Sequence, residues 1–301
     1  MIKIVNSESD ANSITHSGTM HADEVFATAF LEDYLGDRKV YRTNEINFSK
    51  VKDNTLIYDI GRGKFDHHQL DALKRENGIT YCSLGLLWRK FGKDYLMKKD
   101  FSNIDELWNY IDKDFIEGID ADDNGVFPKI EAIYKVKTIS NIIKLFNPSY
   151  DSCETESDQF IKAVDVAKKI FLEEVLYANG KVLANSIVNN LLDEMDSNSK
   201  YLILDKFLPY EETILNRSDK NNLLFVAFPS NRGGYAIKTL PHSLDDKTAR
   251  LSFPKEWAGL SNEELENVSG ISGLTFCHKE RFIVSCKDYN TVVIVLDKLC
   301  N

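Results

Sequence analysis

Four of the six histidines in the chain fall within its first 68 residues: His16, His21, His67 and His68. Each stands near aspartate, in His16-Ser-Gly-Thr-Met-His21-Ala-Asp23 and in Asp66-His67-His68, with Asp59 a little upstream. A further segment, Gly118-Ile-Asp120-Ala-Asp122-Asp123-Asn-Gly125, carries three carboxylates. Imidazole and carboxylate together suit Mn, Fe, Co or Zn, whereas an all-oxygen set would suit Mg or Ca. Three histidines and four aspartates can hold two metal ions if one aspartate bridges them. Such a pair stabilises the attacking and leaving oxygens of an in-line phosphoryl displacement and acidifies water. Each segment alone has a plainer reading. A strand-end Asp or His is often a cap, an acidic helix face is often just solvated, and adjacent strand residues point to opposite faces. The case for a site rests on four segments gathering at one end of one sheet.

That gathering needs strands that end together. Ile14-Thr15-His16 reads as the end of a strand. Ala22–Leu35 reads as a helix, with Val25, Phe26, Ala29 and Phe30 at helical spacing, Asp23 and Glu24 in the first turn and Gly36 as the stop. Residues 39–43 and 55–60 read as strands, the second carrying Asp59, and residues 64–65 as a short β run before Asp66. Residues 84–91 and 105–119 read as helices. Alternating strands and helices predict an α/β fold with a mostly parallel N-terminal sheet and ligands at the carboxyl ends of its strands. Residues 154–190 are helical in pattern and 193–200 are polar. The texture then shifts to short strands at 201–204, 223–228, 235–240, 282–285 and 291–296. The expected organisation is a metal-binding catalytic domain over 1–192, a linker over 193–200 and a smaller α/β substrate-binding domain over 201–301.

At 301 residues the chain suits about two domains. It carries 37 basic and 47 acidic residues, a formal net charge of −10. That balance argues against coating duplex DNA, or an anionic membrane, by bulk attraction. It leaves room for a site that recruits phosphate through bound cations. No apolar run approaches the roughly 18 residues of a membrane span, and the opening residues lack the apolar stretch of a secretory signal. The five cysteines include no Cys-x-x-Cys pair, which points to a reducing cytoplasm rather than a disulfide framework. Neither G-x-G-x-x-G nor G-x-x-x-x-G-K-[ST] occurs.

Asp66-His67-His68, preceded by Asp59 and a His…Asp turn, resembles the motif of the Asp-His-His phosphoesterase superfamily, which includes manganese-dependent pyrophosphatases, single-strand exonucleases and small-nucleotide phosphodiesterases. The chain resembles still more closely the melanocyte-proliferating-gene family, whose eukaryotic member is a 3′→5′ RNA exonuclease. The matching segments run in order from Thr15-His-Ser-Gly-Thr-Met-His-Ala-Asp-Glu24 through Asp59-Ile-Gly61, Phe65-Asp-His-His-Gln69, Ser83-Leu-Gly-Leu-Leu-Trp88, Asp120-Ala-Asp-Asp-Asn-Gly125 and Asn147-Pro148 to Arg250-Leu-Ser-Phe-Pro-Lys-Glu-Trp-Ala-Gly-Leu260. The resemblance implies one metal on His16, His21 and Asp59, and a second on Asp23, Asp59, His67 and Asp120, with Asp59 bridging. His21 stands where most of the superfamily has aspartate, which favours Mn, Fe or Zn over Mg. His68 would face the substrate phosphate beside Asp66, and Asp123 would orient a ligand. Arg250 and His278 would bind substrate, guanidinium being suited to bidentate phosphate contacts. The chain departs from the family at Val284-Ser285, where two glycines are usual, and at Arg281, which replaces another.

The function so implied is a phosphodiester hydrolase with two divalent ions, manganese first and Fe, Zn, Co or Mg as alternatives. It would act as a 3′→5′ exonuclease on single-stranded RNA or short oligonucleotides, in the cytoplasm, with no membrane partner and with homodimerisation left open. One alternative is a phosphatase or phosphodiesterase for pyrophosphate or another small phosphorylated metabolite. The other is a non-catalytic metal-binding regulatory protein, motivated by Val284-Ser285. The aromatic and basic stretch 88–99 reads as an amphipathic helix with Trp88 and Phe91 inward, or alternatively as a base-stacking surface.

Overall fold

The computed structural model describes residues 1–300. The chain divides into two compact units, Met1–Val182 and Leu183–Asn301.

In the first unit, β1 (Ile2–Ile4), β2 (Ser13–His16), β3 (Arg38–Thr43) and β4 (Leu56–Ile57) form an all-parallel sheet in the order β1-β3-β2-β4. Parallel neighbours require a crossover, and α1 (Ala22–Leu35) supplies the one from β2 to β3. Its first eleven residues, Ala22 to Glu32, are all buried, so it reads as core on every side rather than as an amphipathic surface helix. Gly36 ends it with φ 84°.

The strand expected over 55–60 is shorter than its apolar run suggests. Ladder pairing stops at Ile57, Tyr58 makes one isolated parallel bridge to Phe65, and Asp59 turns into the left-handed region at φ 59°. The helix expected over 105–119 belongs to a longer run: α3 (Ile104–Ile111), a π-helical turn (Asp112–Ile116) and α4 (Glu117–Asp123). Before it comes α2 (Ser83–Lys98), where Trp88 is fully buried and stacks on Trp108 at 6.4 Å. Trp88 is therefore core, and the helix reading of that stretch holds.

After the short α5 (Ile139–Ile143), the long α6 (Glu156–Glu194) buries Phe160, Val164, Ala167, Phe171, Val175, Ala178 and Val182 against the same core. Three- and four-residue spacing is what a single helix face requires.

The second unit holds a mixed sheet, β5-β6-β7-β9-β8, from β5 (Tyr201–Ile203), β6 (Phe225–Pro229), β7 (Tyr235–Thr239), β8 (Leu274–Cys277) and β9 (Ile283–Cys286). The β5–β6 pair is parallel and the others antiparallel. Its helices are α7 (Glu211–Leu215), α8 (Asn262–Ser269) and α9 (Tyr289–Cys300). Here the β-branched run 291–296, expected as a strand, is instead helix. Thr291, Val292, Val295 and Leu296 are buried while Ile294 is 52% exposed, a helical period. Asp288 starts the helix by accepting the Thr291 N–H and hydroxyl at 2.9 Å, and packing overrides β propensity. Among the described residues no helix is long and apolar enough to cross a membrane.

Candidate metal centre

The carboxyl end of the first sheet carries the site. His16 is the last residue of β2, and the turn through Gly18, at φ 86°, leads to His21 at the start of α1. The His21 N–H donates to both oxygens of Glu24 at 3.0 and 2.9 Å, which fixes the helix start. Asp23 and Glu24 are fully buried, and Ser83 Oγ donates to Asp23 Oδ2 at 2.8 Å.

Asp59 is the hinge of the arrangement. One carboxylate oxygen, Oδ2, faces His16 Nε2 at 3.1 Å, and the other, Oδ1, faces His67 Nε2 at 3.1 Å. A left-handed aspartate is a strained backbone, of the kind that persists where surrounding contacts over-determine it.

His67 also lies 3.1 Å from Asp123 Oδ2 and 3.9 Å from Asp23 Oδ2. His67 and His68 both approach Asp59, with their rings 4.3 Å apart, because residues 66–69 lie outside any strand and the alternation of strand faces does not apply. Asp66 does not enter the cluster. Its Oδ1 accepts the His68 backbone N–H at 3.1 Å and pairs with Nδ1 at 2.7 Å, while Oδ2 accepts Arg62 N–H at 2.6 Å. His68 is thus held by its own neighbour, with the ring largely in solvent.

Asp120 and Asp123, both on α4, point to different places. Asp120 is fully buried, with Oδ2 held by Arg75 Nε at 2.7 Å and Oδ1 by Cys82 N–H at 3.0 Å. Arg75 also clamps Asp112 through both terminal nitrogens, including Nη2 to Oδ1 at 2.9 Å. Asp120 is therefore committed to a buried ion network, and Asp123 is the α4 carboxylate that faces His67. That is a departure from the ligand set implied by resemblance. Asp122 accepts the Thr138 hydroxyl at 2.9 Å.

The crowding has electrostatic consequences. Burial and the neighbouring Asp59 push the Asp23 carboxyl up, and burial with Asp23 and Asp59 pushes Glu24 well up. Burial and Asp23 raise Asp123 to about 8. Burial would raise Asp59, but hydrogen bonds from His16 and His67 overcome it and bring it to about 2. For His67, burial is outweighed by the Asp59 hydrogen bond and the charges of Asp23, Asp59 and Asp123, which hold the imidazole at about 9.

Three residues of the site have weak sequence signals. Glu24 sits three positions after His21, where a helix-start carboxylate reaches back to the cap, and that spacing is its signal. Ser83 reads only as a helix start, and nothing local marks Arg75.

In the second unit, Arg250 donates from Nε to Pro241 O at 2.9 Å and from Nη1 to Leu223 O at 2.9 Å, so two nitrogens staple loops of its own unit. His278 Nδ1 accepts the Glu280 N–H at 3.1 Å. Arg281 is left-handed at φ 57°, Val284 is fully buried in the core, and Ser285 of β9 pairs with Ala236 of β7.

The MYG1_exonuc family model, described as an uncharacterised protein family (UPF0160), matches residues 13–298. The chain belongs to this family. Among MYG1 relatives, the "MYG1 protein" of Dictyostelium discoideum is 28% identical over 322 residues, covering 97% of each chain. The "MYG1 protein" of Chlamydia pneumoniae is 30% identical over 279 residues, covering 89% of each. The human "MYG1 exonuclease" is 26% identical over 304 residues, covering 89% of this chain and 80% of its own. No solved structure matches.

In this MYG1-family chain the donor set fits divalent metal. Four overlapping groups place their ligand atoms within 4.8 Å of one another: His16, His21 and Glu24; Asp59, His67 and His68; His21, Asp23 and Asp123; and Asp23, Glu24 and Asp59. Asp23 Oδ1 is buried without a hydrogen-bond partner, an orphaned acceptor aimed into an acidic cluster. A buried anion in that position is stable when a cation joins it.

Proposed function

We propose that this protein is a metal-dependent phosphodiester hydrolase of the Asp-His-His superfamily, acting as a 3′→5′ exonuclease on single-stranded RNA or short oligonucleotides. The observation that carries the reading is Asp59, whose two oxygens each face a different histidine inside a buried acidic cluster. The name MYG1 exonuclease on the human and rat relatives supports the nuclease half of it.

His16, His21 and Asp59 would hold one divalent ion, and Asp23, Asp59, His67 and Asp123 the second. Asp123 takes the place that resemblance gave to Asp120, because Asp120 is bonded to Arg75 and Cys82. Manganese is the first choice, the mixed nitrogen and oxygen donors also suiting Fe, Zn or Co, with Mg the poorer fit. Two such ions supply Lewis-acid charge to the scissile phosphate and to an attacking water.

The remaining work falls to the chain. Asp59 keeps its carboxylate splayed between His16 and His67 through a backbone that has little freedom to relax. Asp66 holds the His68 ring by side chain and by backbone, so that, as imidazolium, His68 can donate from Nε2 to a phosphate oxygen as charge develops there. Glu24 pins the helix start that carries His21. Arg250 and His278 are proposed to bind substrate phosphate, Arg250 through the Nη2 edge that its backbone staples do not use. A cytoplasmic setting is proposed from the five cysteines, all unpaired.

The test is stepwise shortening, from the 3′ end, of a 5′-labelled single-stranded RNA by manganese-loaded protein, with the released 5′-mononucleotides read by chromatography. Turnover that is lost on chelation and in His67→Ala supports the reading. Absence of turnover in metal-loaded protein, indistinguishable from His67→Ala, overturns it. A second reading, hydrolysis of a small phosphorylated metabolite, also fits the cavity of about 770 Å³ at the cluster. Phosphate release across a panel of such compounds separates the two.

A further inference from the structure

The cavity beside the acidic cluster has a second wall of different chemistry. Besides the histidines and Asp123 it is lined by Phe127, Ser140, Asn141 and Lys144, from the segment after α4 and from α5 with its following turn. Phe127 lines the cavity and is 66% exposed, so its ring is not part of a core. Lys144 is exposed too, and it is the single Lys or Arg among the residues lining this cavity. Asn141 uses its Oδ1 to accept the Thr138 N–H at 3.2 Å, which leaves its amide NH₂ as the group it can offer.

This wall is anchored. Val126 N–H donates to Ala121 O at 2.8 Å, Asn124 Nδ2 to Thr80 O at 3.0 Å, and the Thr138 hydroxyl to Asp122. Its geometry therefore follows α4, the helix that carries Asp123.

An exposed aromatic face, an amide donor and one cation are what a nucleotide needs: a surface for the base, a partner for its edge and a charge for a phosphate. Inorganic pyrophosphate would use only the cation. A cavity of about 770 Å³ lies within the roughly 300–1,000 Å³ range of small-molecule sites, large enough for a nucleoside beside the reacting phosphate.

We propose that Phe127, Asn141 and Lys144 form the subsite for the nucleotide at the scissile phosphate: its base stacks on Phe127, its edge takes the Asn141 amide, and its adjoining phosphate pairs with Lys144. The subsite rests on the nucleotide-hydrolase reading of the acidic cluster and names what that cluster acts on. It makes discrimination between base-bearing and baseless phosphodiesters a property of residues 124–144.

The experiment compares kcat/KM for a dinucleotide with kcat/KM for bis(p-nitrophenyl) phosphate in the manganese-loaded full chain. Phe127→Leu keeps apolar bulk and removes the π-face. Lys144→Ala removes the charge, and Lys144→Arg restores it. Stacking on an aromatic is worth enough for the ratio to fall about tenfold in Phe127→Leu, mainly through KM. A similar fall in Lys144→Ala, recovered in Lys144→Arg and in Phe127→Trp, is expected. A ratio within about twofold of wild type in both Phe127→Leu and Lys144→Ala overturns the subsite. If wild type hydrolyses neither substrate, the hydrolase reading fails, and the subsite is read separately by calorimetric titration with AMP. Weaker AMP binding in both variants supports it, and unchanged binding overturns it.

Discussion

Replacing Gly85 by alanine tests the packing that holds Asp120 away from the cluster. Gly85 lies in the first turn of α2, and a Cβ there would stand 2.5 Å from Asp120 Oδ2 and 2.8 Å from its Cγ. The carboxylate has nowhere to retreat, since Arg75 holds one oxygen at 2.7 Å and Cys82 N–H the other at 3.0 Å. Forcing a methyl into a filled site costs about 1–3 kcal/mol. If the strain is relieved by breaking the Cys82 bond, the loss is of the same order, about 1.5–3 kcal/mol for a charged acceptor. Alanine returns up to about 1 kcal/mol of helix propensity. The net expectation, from these magnitudes, is a loss of about 1–2 kcal/mol, and each kcal/mol moves Tm by about 2–4 °C in a chain of this size. Urea unfolding and thermal melts of the metal-free protein read this directly. Gly180→Ala is the control: it lies in α6 with open space around its Cβ, so propensity acts alone and stability rises by about 0.5–1 kcal/mol. Metal affinity should fall in Gly85→Ala, because Asp123 rides on the same helix as Asp120. If Gly85→Ala gains stability as Gly180→Ala does, the account of Asp120 is wrong.

Asp123→Asn should lower manganese affinity by about tenfold to a hundredfold, the usual loss when a site's coordinating environment is disrupted, while Asp120→Asn lowers it much less; calorimetry on the two variants decides, and the reverse order would return Asp120 to the ligand set. Ser83→Ala removes the hydroxyl that donates to buried Asp23, so the metal-free protein should lose about 1–3 kcal/mol, and the deficit in Tm should shrink when manganese is added. The pH dependence of the metal-free form follows from two groups. Asp123, raised from 3.8 to about 8, favours the folded state while protonated, so its contribution is lost as pH rises from about 4 to 8. His67, raised from 6.5 to about 9, contributes fully below 6.5 and loses that contribution as pH rises through 9. Both signs agree, so the urea midpoint in chelator should fall between pH 6 and pH 9. With manganese the trend should reverse, because metal competes with those protons; a midpoint that climbs with pH in chelator would refute the assignment.

Much of the first unit was legible because its elements obey simple periods. α1 matched at both ends, since Asp23 and Glu24 mark its start and Gly36 its stop. Trp88 fell into the core as the helical spacing of its neighbours implied. The second unit was harder. The run Thr-Val-Val-Ile-Val-Leu has the composition of a strand, and six residues are too few to distinguish period 2 from period 3.6. What decides it is Asp288 at the start and the sheet against which Val292 and Val295 pack, and neither is visible in the run itself. β8 leaves no clear sequence signal because Leu274–Cys277 is short and stands at the sheet edge.

The site was legible in the residue types that it gathers and illegible in their pairing, and the reason is physical. His16, His21, Asp23, Asp59 and His67 do meet, because parallel strands end at one edge and the residues stand at or just after those ends. Asp120 is bonded instead to Arg75, a residue in an irregular loop whose partners lie 37 and 45 positions away. No local pattern reports such a partner. The alternation rule also fails at His67-His68, because residues 59–69 hold left-handed Asp59, Gly61 and Arg62 instead of an extended strand. Rules of regular structure should fail where backbone strain is stored, and strain tends to be stored where chemistry needs side chains that regular structure would separate. Here the irregularity lets two adjacent imidazoles reach one carboxylate. A strand continued through Asp59 would send one of them to the opposite face, so the backbone break at Asp59 is part of what makes the cluster.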